Sequence, residues 1–185
     1  MRPPRNQAPG YHHVVTRGNN KQTIYLDETD RRLFFLTTAR VARRNEWRIL
    51  AYVLMRNHYH LLVSVGAQGL SRGMHDLNHT YAITFNARHE RINHLFGKRF
   101  WSRHLTTEAS VMAAARYIVQ NPVRAAISEI DAYSWSSYRA TIGLEFAHLP
   151  LASNELLSFF GTAPADGLSA FESFCRVLPD PAEVA

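Results

Sequence analysis

Two apolar runs, residues 49–55 and 58–65, flank a polar break at Arg56-Asn57. Both are short and rich in β-branched or aromatic residues, and two polar residues between such runs predict a β-hairpin. Upstream, residues 11–18 read as a first strand closed by a Gly18-Asn19-Asn20 turn. Thr29 or Asp30 is placed to cap a helix running to about Asn45, with Leu33, Leu36, Ala39 or Arg40, and Val41 at helical spacing. Downstream, Gly69 or Ser71 opens a second helix to about His89, whose Leu70, Met74, Leu77, Tyr81 and Phe85 recur as a core stripe. Residues 95–104 predict a further strand, and Glu108 to about Gln120 an alanine-rich helix. Pro122 ends or kinks that helix at Asn121. Beyond Gly143 two short helices are expected at 149–160 and 167–176, and 179–185 reads as a frayed end. The order is β-α-β-β-α-β-α. Its first six elements predict an α+β, ferredoxin-like or RRM-like βαββαβ domain: an antiparallel sheet with helices on one face and the other face open to nucleic acid.

Length adds little to this picture, since 185 residues suit one domain with an extension. The division expected is an N-terminal arm at 1–10, a main domain at 11–143 and a C-terminal extension at 144–185. No apolar run approaches a membrane span, and the first ten residues carry no secretory signal. Cys175 is the single cysteine, which excludes an internal disulfide and a cysteine metal cluster. A cytoplasmic location without membrane contact is the default. Charge changes the picture more. Residues 1–144 hold 20 basic against nine acidic side chains, a net +11, while 145–185 hold one against six, a net −5. All the basic residues except Lys21 and Lys98 are arginines. A basic, arginine-dominated body points to nucleic acid, because guanidinium forks match phosphates and base edges. The alternative is a basic protein with no such partner.

Candidate chemistry gathers at two places. His58 and His60 are i and i+2 on a strand, so both imidazoles leave one face and form half of a metal site, or else two polar residues of a solvated face. Tyr117 and Asn121 are i and i+4 on one helix face. A phenol can act as a covalent nucleophile, and an amide oxygen is a hard ligand suited to Mg²⁺ or Mn²⁺. The same two residues also read as a core aromatic and a helix C-cap. Arg116 and Arg124 flank them and suit neighbouring phosphates. Arg17, Asn19 and Asn20 form a polar loop fit to read base edges, or an ordinary turn. Arg88, Arg91, Arg99 and Arg103 are further phosphate-contact candidates, or a solvated face.

Together, Arg17-Gly18-Asn19-Asn20, Asn57-His58-Tyr59-His60-Leu61-Leu62-Val63, Arg116-Tyr117…Asn121-Pro122-Val123-Arg124-Ala125 and Trp135-Ser136-Ser137-Tyr138-Arg139 resemble the REP-associated tyrosine transposases, single-tyrosine HUH enzymes of the IS200-like group. The resemblance covers roughly residues 11–143. Arg56 stands where that family usually has proline, which adds a cation near the histidines, and Asn93 stands where glycine is usual. Asparagine tolerates the left-handed conformation best among non-glycine residues. The resemblance implies a bacterial, nucleoid-associated enzyme that cuts and rejoins single-stranded DNA at repetitive extragenic palindromic (REP) hairpins. His58 and His60, with Asn121 as third ligand, would hold a divalent metal, Mg²⁺ or Mn²⁺. Tyr117 would form a 5′-phosphotyrosine. Monomer and homodimer remain equally open. Three rivals stand beside this reading: a DNA- or RNA-binding module without chemistry, a zinc hydrolase, and a rolling-circle initiator or relaxase.

Overall fold

A computed structural model describes residues 8–178; residues 1–7 of the expected arm and the 179–185 end lie outside the described residues. Strands β1 (Gly10–Arg17), β2 (Arg48–Met55), β3 (His58–Val65) and β4 (Trp101–Leu105) form one antiparallel sheet in the order β2-β3-β1-β4. This is the ferredoxin-like arrangement that the element order predicts. Met55 pairs with His58 across the two-residue Arg56-Asn57 turn, as the hairpin pattern requires. The fourth strand begins only at Trp101. Residues before it form a loop in which Phe96 bridges Gly18.

Helices α1 (Glu28–Arg44) and α2 (Ser71–Arg88) cover one face of the sheet. The cap of α1 is Asp27, two residues before Thr29 and three before Asp30: Asp27 accepts from the Asp30 backbone N–H, and the Asp30 carboxylate accepts from the Asp27 N–H. The buried stripe also differs from the expected one. Phe34, Phe35, Thr38 and Val41 are buried, whereas Leu36, expected inside, is 63% exposed. The α2 stripe of Leu70, Met74, Leu77, Tyr81 and Phe85 is buried throughout. At Gly73 any side chain would strike the Trp47 indole, so the glycine lets α2 approach that ring.

The opposite face is not open. Helix α3 (Glu108–Val119) crosses it, joined by α6 (Ser153–Ser158) and α7 (Pro164–Arg176). Strand alternation assigns the two cores: Tyr59, Leu61 and Val63 point toward α1 and α2, while Leu62 points toward α3. A bulge in β2 between Ile49 and Ala51 breaks this alternation and lets both Leu50 and Ala51 enter the α3 core. The acidic extension is built into that core. Leu156, Phe171 and Cys175 are fully buried, and burial of a Leu or Phe contributes roughly 1.5–3 kcal/mol each. Its Glu155 takes an ion pair from Arg48 and a hydrogen bond from Tyr11. Short helices α4 (Asn121–Arg124) and α5 (Tyr138–Thr141) complete the fold.

Candidate active site

The register brings the site together. Residues that pair on neighbouring strands share a face, so His58 stands beside Arg17, and His60 beside Val15, which in turn pairs with Trp101 on β4. His13 belongs to the same row of side chains, opposite Leu62 and Arg103. Helix α3 descends over these rings. Tyr117 sits with its ring 5.7 Å from both His13 and His60. Gln120 ends α3 and Asn121 begins α4, so Asn121 is not the C-cap of α3. Pro122 falls in the first turn of α4, where its missing N–H costs little. The helical spacing survives the break: the Asn121 Nδ2 donates to the Tyr117 carbonyl at 2.8 Å.

Each histidine has one ring nitrogen already engaged. His58 Nδ1 meets Asn57 Oδ1 at 2.7 Å, and the Asn57 amide is oriented by its own donation to the Lys21 carbonyl. His60 Nδ1 meets His13 Nε2 at 2.9 Å. Burial drives all three rings toward the neutral form. His58 and His13 are each lowered to about 4, with Arg17 adding to the effect at His58 and Arg103 at His13. His60 lies well below the usual imidazole value, through burial first and then its two histidine neighbours. Against this trend, Asn121 hydrogen-bonds His58 and favours its protonated form, as an acceptor oxygen does.

The donor set suits a divalent cation. A neutral His58 has one N–H, and the Asn57 Oδ1 meets its Nδ1. With the proton on Nδ1, the Nε2 lone pair and the Asn121 oxygen remain for a cation. If His60 Nδ1 donates to His13, its Nε2 is likewise free. Two imidazoles and one amide oxygen form an N₂O set of borderline to hard donors, in which the amide oxygen is the ligand suited to Mn²⁺ or Mg²⁺. Among the described residues no group of three or more His, Cys, Asp and Glu side chains is arranged to hold a metal; the set here relies on an amide instead.

The arginines separate into groups. Arg17, Arg103 and Arg116 line a cavity of about 510 Å³ beside His13, His60, Trp101 and Tyr117. Arg116 is only 7% exposed and lies 4.1 Å over the Phe174 ring, anchoring α7 to α3. Arg124 stands 5.3 Å over the Tyr117 ring from the solvent side. Arg56 bonds Thr23 at the hairpin turn, and Asn19 and Asn20 occupy the adjoining turn, where the Asn19 N–H bonds Leu95. Asn20 takes a left-handed φ of 49°, which asparagine accommodates. Three arginines lie away from the cavity. Arg88 clamps Asp27 and the buried Asp30 at the start of α1, Arg91 bonds Gln22 and covers Phe85, and Arg99 lines a separate groove along α2. In the loop before β4 the left-handed residue is Glu90 rather than Asn93.

Sequence reasoning passed over His13 and Trp101, and took Asn57 only as part of a motif. His13 and Arg17 share a strand face at i and i+4, which is visible in the sequence; which strands lie beside them is not.

A sequence model described as "Transposase IS200 like" matches residues 7–121. A comparison with curated proteins finds no match. Among solved structures, a REP-associated tyrosine transposase bound to a REP hairpin superposes with a TM-score of 0.66 at 15% identity, covering 83% of this chain and 96% of that one. A putative transposase from Deinococcus radiodurans aligns at 13% identity over 70% of this chain and 100% of that one, with a TM-score of 0.45. The first of these establishes a shared fold.

Proposed function

Because the chain belongs to the IS200-like transposase family, we propose that it is a single-stranded DNA endonuclease and strand transferase acting on REP-type hairpins through a covalent tyrosine intermediate. The observation that carries this reading is the position of Tyr117, equidistant from the His13 and His60 rings in an arginine-lined cavity. The solved relative is described as bound to a REP hairpin, which supports a hairpin substrate here.

In the proposed step the Tyr117 oxygen loses its proton to water and attacks the scissile phosphorus. A bond from the tyrosine oxygen to phosphorus forms, the bond from phosphorus to the 3′-oxygen breaks, and the departing oxygen takes up a proton. The products are a 5′-phosphotyrosine and a free 3′-hydroxyl. One phosphodiester replaces another, so a second 3′-hydroxyl can reverse the step without an external energy source. His58, His60 and Asn121 would hold the divalent cation, which when bound polarises the phosphate and stabilises developing charge. Asn57 and His13 hold the ligand rings in place. Arg17, Arg103 and Arg124 are placed to meet phosphates along the strand. Arg116 contributes by fixing the helix that carries Tyr117.

The test is incubation of labelled single-stranded hairpin DNA with the protein and Mg²⁺ or Mn²⁺. The expected product is an adduct that survives denaturation, is absent in EDTA, and is absent with Tyr117→Phe although that variant folds and binds the hairpin normally. Hairpin binding without any adduct favours the binding-module reading. Cleavage that persists in Tyr117→Phe assigns the attack to another group.

A further inference from the structure

Trp101 stands on β4, at the edge of the sheet, with 52% of its surface exposed. An indole left in water forgoes much of the stabilisation its apolar area could provide, and here it does so beside the reacting group. The His13 ring lies 5.5 Å from Trp101 and 5.7 Å from Tyr117, so at most about 11 Å separates the two outer rings. Beyond Trp101 the cavity wall is apolar, with Val15 and Leu105 on the strands and Ala113 and Ala114 on α3. Those alanines are too small to fill the space under the helix. Arg17 and Arg103 stand exposed at the rim, and among the described residues no acidic side chain lines the cavity. Its volume of about 510 Å³ is in the range of small-ligand sites.

We propose that this cleft between β4 and α3 is a subsite for one unpaired nucleotide beside the scissile phosphate, its base stacked on Trp101 and its phosphate held by Arg17 and Arg103. The proposal rests on the reading of the chain as a single-strand transferase and adds how the strand is gripped next to Tyr117. A paired base, stacked inside a duplex, offers no free face to an indole, so the subsite selects single-stranded DNA. Stacking uses the π-face common to every base and is tolerant of sequence. Identity must then be read elsewhere, for example by the Asn19-Asn20 turn.

The experiment uses the full chain in EDTA, where no cleavage competes, and a short labelled oligothymidylate as probe. Trp101→Ala, and Trp101→Leu which keeps apolar bulk on the strand, should each weaken binding about ten- to a hundredfold. Trp101→Phe, which keeps a ring, should bind within a few-fold of the native protein. Tryptophan fluorescence should be quenched on binding in the native protein and far less in Trp101→Phe, because Trp47 is buried and Trp135 is packed against Phe35 and His148. An abasic version of the probe should bind the native protein as weakly as oligothymidylate binds Trp101→Ala, and should lose nothing further in that variant. Arg103→Gln should flatten the salt dependence of binding by about 0.7 in log–log slope, the release expected for one single-strand phosphate contact. Native-like affinity in folded Trp101→Ala or Trp101→Leu overturns the proposal, as does equal loss on base removal in both proteins. These readings need no chemistry. Failure of the native protein to form an adduct with hairpin DNA and Mn²⁺ would sink the transferase reading by itself and leave the binding result to stand separately.

Discussion

Tyr59 and its neighbours His58 and His60 lie on one strand, yet face different worlds. The Tyr59 face is a dry aromatic core, where Tyr25, Phe34, Tyr59, Tyr81 and Phe85 are almost wholly buried and meet edge to face or at a tilt. Two of its three hydroxyls are paired, Tyr59 donating to Asn78 and Tyr81 to the Ile24 carbonyl, while the buried Tyr25 hydroxyl has no hydrogen-bond partner among the described residues. The other face is split. Toward β2 it is a second apolar core under α3, α6 and α7. Toward β1 and β4 it holds buried imidazoles, an amide and arginines around a cavity. One face thus supplies rigidity and the other carries groups that burial would destabilise unless they had partners or a ligand. The same pleat that separates them lets each be altered without touching the other.

The largest expected effect comes from the ligand face. His58→Ala or His60→Ala should remove Mn²⁺ binding and slow adduct formation on the order of a thousandfold, the loss of several kcal/mol of charge stabilisation. Hairpin affinity in EDTA should stay near native, since binding rests on arginines. Calorimetric titration with Mn²⁺ and a gel assay check the two halves. A native rate in either variant would remove the metal from the mechanism.

On the opposite face, Tyr59→Ala should cost about 3–5 kcal/mol of stability, as large-to-small core changes do. The folded fraction should still form adduct at the native rate. Denaturant unfolding combined with active-fraction titration separates the terms. A folded but inactive Tyr59→Ala would show that the two faces are coupled.

A smaller effect distinguishes His13 from a bystander. His13→Leu removes the group that meets His60 Nδ1 and should weaken Mn²⁺ binding about 10- to 100-fold, as loss of a partner behind a metal ligand does. His13→Gln, which keeps an acceptor, should recover most of it. Equal losses in both variants would mean that His13 serves only as packing.

A further effect is expected from pH. His13 and His58 are lowered to about 4 when folded, against about 6.5 in an unfolded chain. Between these values the unfolded state binds more protons, so stability should fall as pH drops from 6.5 toward 4. His13→Leu should flatten part of that slope in thermal unfolding followed by circular dichroism. For the same reason Mn²⁺ affinity should hold down to about pH 6, where an ordinary imidazole would already compete with protons.

The extension completes the contrast. Its net charge of −5 against a body of +11 is compatible with an arm over the basic site or with an appendage packed on the core, and three of its acids pair with arginines outside the cavity: Glu155 with Arg48, Glu145 with Arg139 and Glu172 with Arg176. Leu156 and Phe171 hold it in the apolar part of the site-bearing face, so its removal would strip a core before it exposed any DNA surface.

Alternation and helical spacing were enough to determine the hairpin from Ile49 to Val65, the α2 stripe, the helix bearing Tyr117, and the face shared by His58 and His60, because these depend only on local periods of two and 3.6 residues. The Tyr117–Asn121 pair was legible for the same reason and survived the break at Pro122. The α1 stripe was misplaced because Leu33-Leu36 and Phe34-Phe35 lie on neighbouring helix faces with the same local period, and only packing against the sheet decides which face is buried. What lay beyond the sequence was set by pairing at long range. Only the β1–β3 register puts His13 behind His60, and only the β1–β4 register puts Trp101 beside them. Only packing decides that Arg88 clamps a helix start while Arg103 faces the cavity. Nothing in an arginine's local sequence records which strand or helix will lie opposite, because that choice is made by the burial of two cores far apart in the chain.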